Sequence, residues 1–160
     1  MRIRGLVALF LLMPALAAAQ TPIDKTRLIV SGRVIMDSDI RVALELELVP
    51  RSVTTDAAVQ AELENRLIML AEIGASSSVA EPTDADVAER RQQWERALGP
   101  GGTPAERLAG EHMTEADLMA WLKDDVRIQK YLRERFIRET NAADAINRWI
   151  LDLRRKAGLR

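Results

Sequence analysis

The sequence predicts an all-α, mainly helical protein that carries a short N-terminal β-hairpin. Three observations predict it. Hydroxyl or amide residues followed three positions later by an acid recur along the chain, the pattern of a helix start. Between those starts, leucine, isoleucine and valine return at intervals of three and four residues. Near the N-terminus, two β-branched runs are separated by a two-residue turn containing glycine.

The first of the 160 residues read differently from the rest. Arg2 and Arg4 precede an apolar run from Leu6 to Met13, Pro14 ends that run, and Ala17-Ala18-Ala19 supplies small residues before Gln20. This order predicts a cleavable secretory signal over residues 1–19, cut after Ala19, and hence a periplasmic protein. The apolar stretch from Gly5 to Ala19 is 15 residues long. A spanning helix needs roughly 20, so no stable membrane anchor is expected. There is no cysteine, which excludes an acylated lipoprotein anchor, disulfides, thiol catalysis and thiolate metal sites. A single histidine, His112, excludes a paired-histidine metal site, and its place before a helix start fits a solvated loop.

Residues 20–160 are expected to form one domain. They carry 21 basic and 24 acidic side chains, a balance too mild to imply a nucleic-acid partner. The charge is uneven: residues 20–122 hold 10 basic and 18 acidic groups, and residues 123–160 hold 11 and 6. Such asymmetry suits either attraction between the two parts of the fold or the steering of a charged partner. Aromatic residues make up only 4% of the chain, so aliphatic side chains must carry the core.

The elements follow in order. Arg27-Leu28-Ile29-Val30 and Arg33-Val34-Ile35-Met36 flank Ser31-Gly32 and predict the hairpin, which needs helices to pack on because two strands alone are marginal in water. Asp37 or Ser38 is expected to cap a first helix that Pro50 ends near Val49, although the alternation in Leu44-Glu45-Leu46-Glu47-Leu48 is strand-like. Thr54 or Thr55 opens a second helix, with Val59, Leu63, Leu67, Leu70 and Ile73 on one face and Gly74 as its stop. Residues 75–81, with three serines, read as a loop. Thr83 with Asp86 starts a third helix, which Gly99-Pro100-Gly101-Gly102 breaks off. Thr103-Pro104-Ala105-Glu106 starts a fourth, with proline at the first helical position. Thr114 with Asp117 begins the longest helix, reaching about Glu139, with Leu118, Trp121, Leu122, Ile128, Leu132 and Phe136 as its apolar stripe. Asn141 with Asp144 opens the last, which turns Ala145, Ile146, Trp149, Ile150 and Leu153 to one side and ends on Arg154-Arg155-Lys156.

Three of these stretches resemble the N-terminal domain of SurA-type periplasmic chaperones and the related PrsA-like, parvulin-bearing foldases. The first runs from Val30 through Gly32 to Asp39-Ile40, with Ser31 where asparagine is usual. The second is Leu63 to Gly74, containing Arg66-Leu67-Ile68, and it leads through a loop to Thr83-Asp84-Ala85-Asp86-Val87. The third is Met113 to Arg138, with Lys123 and Arg127 near the family's basic positions. Trp149 to Arg155 is similar to the family's closing helix. In that family a parvulin isomerase domain usually precedes the closing helix. Here only a few residues separate Arg138 from Asn141, so no such domain fits and no isomerase activity is expected.

The resemblance implies an ATP-independent chaperone that holds unfolded outer-membrane or secreted polypeptides. The alternatives are a module dedicated to one folded envelope partner, which includes a homodimer, or, by family descent, a prolyl isomerase. No catalytic, cofactor-binding or metal-binding residues are expected, because no Ser-His-acid set, phosphate loop or metal spacing occurs. Asp124 and Asp125 point about 100° apart on a helix and cannot serve one atom. A holdase needs adaptable apolar surface, for which methionine is suited. The candidate client-binding residues are therefore Met36, Met69, Met113 and Met119, with Trp94, Trp121 and Trp149 as larger platforms. Trp121 and Trp149 also suit core positions, whereas Trp94, among Arg90, Arg91 and Arg96, is expected to be half-exposed.

Overall fold

The computed structural model describes residues 24–30, 32–75 and 81–159. The predicted signal segment, Ser31 and most of the serine-rich loop lie outside the described residues. The architecture is mainly helical, with the expected hairpin at its N-terminal end. Strands β1 (Thr26–Val30) and β2 (Arg33–Met36) pair antiparallel, with Val30 opposite Arg33, Ile29 opposite Val34, and Leu28 opposite Ile35. Gly32 sits at a φ of +79°, a left-handed conformation that glycine adopts without strain. Period-two alternation decides the faces: Val30 and Ile35 are buried, while Ile29 and Val34 lie on the outer side, 63% and 46% exposed.

Six helices follow among the described residues: α1 (Asp37–Glu45), α2 (Asp56–Ala75), α3 (Asp84–Ala97), α4 (Pro104–Gly110), α5 (Glu115–Phe136) and α6 (Ala142–Lys156). The predicted starts at Thr83, Thr103 and Thr114 are full capping boxes. In each, the threonine hydroxyl accepts from the backbone N–H three residues on, and the acid there accepts from the threonine N–H. Each cap is worth about 1 kcal/mol. Asn141 caps α6 through Asp144 N–H at 3.3 Å.

The start and end of α1 differ from expectation. Neither Asp37 nor Ser38 caps it. Met36 holds the cap position and its N–H donates to Asp39 at 2.8 Å, while Asp24 accepts from the Ser38 N–H. The helix also stops at Glu45 rather than Val49. Leu48 N–H donates to Ala43 C=O at 2.9 Å and Glu47 N–H to Leu44 C=O at 3.1 Å, with Glu47 at a φ of +51°. That is a Schellman turn built on glutamate instead of glycine. The Glu47 carboxylate accepts from Gly99 N–H at 2.9 Å and from Arg51 at 2.7 Å, contacts that offset the left-handed backbone. The same turn ends α4, with His112 at a φ of +55° and Met113 N–H donating to Leu108 C=O. His112 is exposed there, at the end of a helix rather than in a free loop.

The core has two parts. The first gathers Val30 and Ile35 of the hairpin, Ile40 and Ala43 of α1, Val59, Leu63, Ile68 and Ile73 of α2, Ile128 and Tyr131 of α5, and Trp149 and Leu153 of α6. The second gathers Leu46 and Leu48 after α1, Val87 and Trp94 of α3, Leu108 of α4, and Leu118 and Leu122 of α5. Helix α5, 22 residues and so about 33 Å long, runs through both. Cations of the basic C-terminal part pair with acids of the acidic first part: Arg127 with Glu81, Lys130 with Asp86, and Arg154 with Glu64. Glu64 is the one buried charged residue among those described. Burial of its carboxylate is offset by Arg154 at 2.8 Å and by the Gln60 amide at 2.9 Å.

Candidate functional site

The two cores meet at Trp121. Its indole packs, partly buried, against members of both clusters, and a groove of about 340 Å³ lies beside it. Three helices build this place. Helix α2 supplies Arg66, whose guanidinium stacks 3.9 Å from the centre of the Trp121 ring and donates to the Trp121 carbonyl at 2.7 Å. Helix α5 supplies Trp121 and, one turn on, Asp125, which accepts from Arg66. Helix α3 supplies Arg90, which donates to the second oxygen of Asp125 at 2.9 Å. One carboxylate thus bridges two arginines from different helices. Asp124 stands 3.9 Å from Arg66, so the adjacent acids flank one guanidinium without meeting at a single atom.

Two concavities open on either side of this pair and share Leu48, Leu63, Arg66 and Trp121 as walls. The first, of about 340 Å³, is bordered by Val49, Pro50 and Met69 and by the Arg90–Asp125 ion pair. The second, of about 190 Å³, is bordered by Val42, Leu67, Leu70 and Met113, and by Arg33, Val34 and Ile35 of β2. Two donors near Trp121 lack a partner although their atoms are buried: Trp121 Nε1 and Arg90 Nε. Buried N–H groups without acceptors are uncommon in folded proteins.

Three of the seven residues expected to contact clients come together here: Met69 in the first cavity, Met113 in the second, and Trp121 in both. The others do not. Trp94 corrects the expectation of a half-exposed platform: it is 1% exposed, and its Nε1 donates to the Leu46 carbonyl at 2.7 Å. Trp149 is buried beside Tyr131 and Phe136, with ring centres 5.5 and 5.9 Å away, and the Arg135 guanidinium lies over it at 5.4 Å. Met119 packs, half-buried, against the second core, and Met36 sits half-buried at the end of β2, outside both cavities.

Arg66, Arg90 and Asp125 were not foreseen. Arg66 carried a weak signal, since it lies one position before Leu67 on the apolar side of α2. Arg90 and Asp125 carried none, because only the packing of α3 on α5 makes them neighbours. No family model matches the chain, and no curated protein or solved structure matches it either. Among the described residues no acidic, histidine or cysteine cluster could hold a metal ion, and no helix is long and apolar enough to cross a membrane.

The groove offers apolar area, adaptable thioethers and an aromatic plate. Unbranched thioether side chains adapt to more than one shape. Three carboxylates of the fold are held below their usual range by close cations and amides. The Gly99 N–H, then Arg51 and Arg107, keep Glu47 below the usual carboxylate range. Lys130 and the Thr83 hydroxyl do the same for Asp86, and Arg127 for Glu81.

Proposed function

We propose that this protein is an ATP-independent holdase of the bacterial envelope, which binds unfolded outer-membrane or secreted polypeptides without isomerising them. One observation carries this conclusion: Trp121 stands between two open cavities, one bordered by Met69 and the other, walled mainly by apolar side chains, by Met113. A site that must accept many sequences benefits from flexible side chains rather than a rigidly shaped pocket. The resemblance to SurA-type N-terminal domains and the secretory pattern of residues 1–19 point the same way.

Light scattering of a heat-aggregating client tests it. Stoichiometric protein is expected to suppress aggregation. Met69→Ser and Met113→Ser should each weaken suppression while leaving the helical circular dichroism unchanged, since both methionines are only half-buried. Unchanged aggregation in the presence of the wild-type protein would overturn the proposal. Prolyl-peptide isomerisation above the background rate would overturn its non-catalytic part.

A further inference from the structure

Strand β2 has a single neighbour among the described residues, β1, so its outer edge is unpaired. The pairing register decides which groups that edge presents. Val30 and Arg33 close a two-residue connection and form the hydrogen-bonded pair. The next pair, Ile29 and Val34, is then the kind whose backbone groups turn away from each other. The N–H and C=O of Val34 accordingly point to the outer edge, where no described group bonds them.

This edge is not on a bare rim. Arg33, Val34 and Ile35 form one border of the second cavity, together with Leu67, Met113 and Trp121. The unpaired main-chain N–H and C=O of Val34, beside a hollow walled mainly by apolar side chains, match one ligand chemistry, another extended backbone whose alternate side chains are apolar. The opposite edge, that of β1, does not border either cavity and lacks the hollow. A second copy of the chain is a poor occupant. Its own β2 runs into α1 without a linker and is bordered by α1 and α2, so two such walled edges would bring helices against helices.

We propose that β2 is an acceptor edge: an extended, alternating apolar segment of a client adds as a third strand beside Val34 and seats alternate side chains in the cavity lined by Met113 and Trp121. This rests on the holdase function proposed above and names the conformation the client must adopt.

The test uses the full-length protein after export and a fluorescein-labelled peptide of about eight residues, alternating valine and threonine with a lysine at each end. At saturation, amide hydrogen exchange at Val34 is expected to slow by about tenfold or more, and that of Ile29 to stay unchanged. N-methylation of every second peptide amide should weaken binding by about tenfold in the register that faces β2, and by less than about twofold in the other. Protection at Ile29 instead of Val34, equal tolerance of methylation in both registers, or a dimer joined through two β2 edges in sedimentation would each overturn the acceptor edge. If aggregation is suppressed while both methylated series bind equally, the holdase function stands and the edge alone falls. If the protein neither binds the peptide nor suppresses aggregation, both fall.

Discussion

Replacing Trp94 separates a core role from a surface role. The indole is 1% exposed in the second core, and its Nε1–H donates to the Leu46 carbonyl at 2.7 Å. Trp94→Phe keeps most of the apolar contact but leaves that carbonyl without its donor, a loss of about 1–3 kcal/mol. Trp94→Ala also removes the ring and opens a cavity beside Leu118 and Leu122, a loss of about 3–5 kcal/mol. With a urea slope of about 1.5 kcal/mol/M, the phenylalanine variant should lower the unfolding midpoint by about 1–2 M and the alanine variant by about 2–3 M. Far-UV circular dichroism is the right probe, because it follows the helices and not the tryptophans themselves. Client suppression per folded molecule should be unchanged in the phenylalanine variant. A midpoint within about 0.3 M of wild type, together with lost client binding, would refute the core assignment and restore Trp94 as a surface platform.

Two further predictions test how the elements are joined. Arg154→Met leaves the Glu64 carboxylate buried with only Gln60 as partner, and should cost about 3–5 kcal/mol in urea unfolding. The double variant Arg154→Met with Glu64→Leu should recover most of that loss, and a double variant as unstable as the single would show that the charge was not the cause. Acid provides the second perturbation. Asp86, Glu81 and Glu47 all have folded pKa values held below the ordinary carboxylate values, so their stabilisation is complete above those values and is lost as pH falls through the depressed ones. Thermal midpoints should be flat from about pH 7 to 5 and fall below about pH 4, and Asp86→Asn should shrink the fall. A midpoint that rises on acidification would contradict the sign.

Much of the local structure was legible in the residues. The capping boxes at Thr83, Thr103 and Thr114 and the proline at the start of α4 depend on side chains three positions apart, so sequence spacing alone exposes them. The ends of α1 and α4 were not legible in the same way. Their left-handed residues are Glu47 and His112, not glycine, and Glu47 tolerates that backbone because Gly99, far along the chain, donates to its carboxylate. Trp94 misled for a related reason. Helix α3 buries only Val87 and Trp94, two positions seven residues apart amid charged neighbours, and that narrow stripe looks like a solvated face until its partners are known.

The hairpin, the number of helices and the starts at Thr83, Thr103, Thr114 and Asn141 are properties of short windows of sequence, set by backbone geometry and caps within one turn. The tertiary structure alone decided the groove. Arg66 meets Asp125 across 59 residues and Arg90 meets it across 35, and Met69 and Met113 come to the same tryptophan from separate segments. An apolar stripe states that a helix must be covered but not by which partner. That choice comes from the summed burial of two cores on one long helix, and the open seam at Trp121 is what remains where those cores meet.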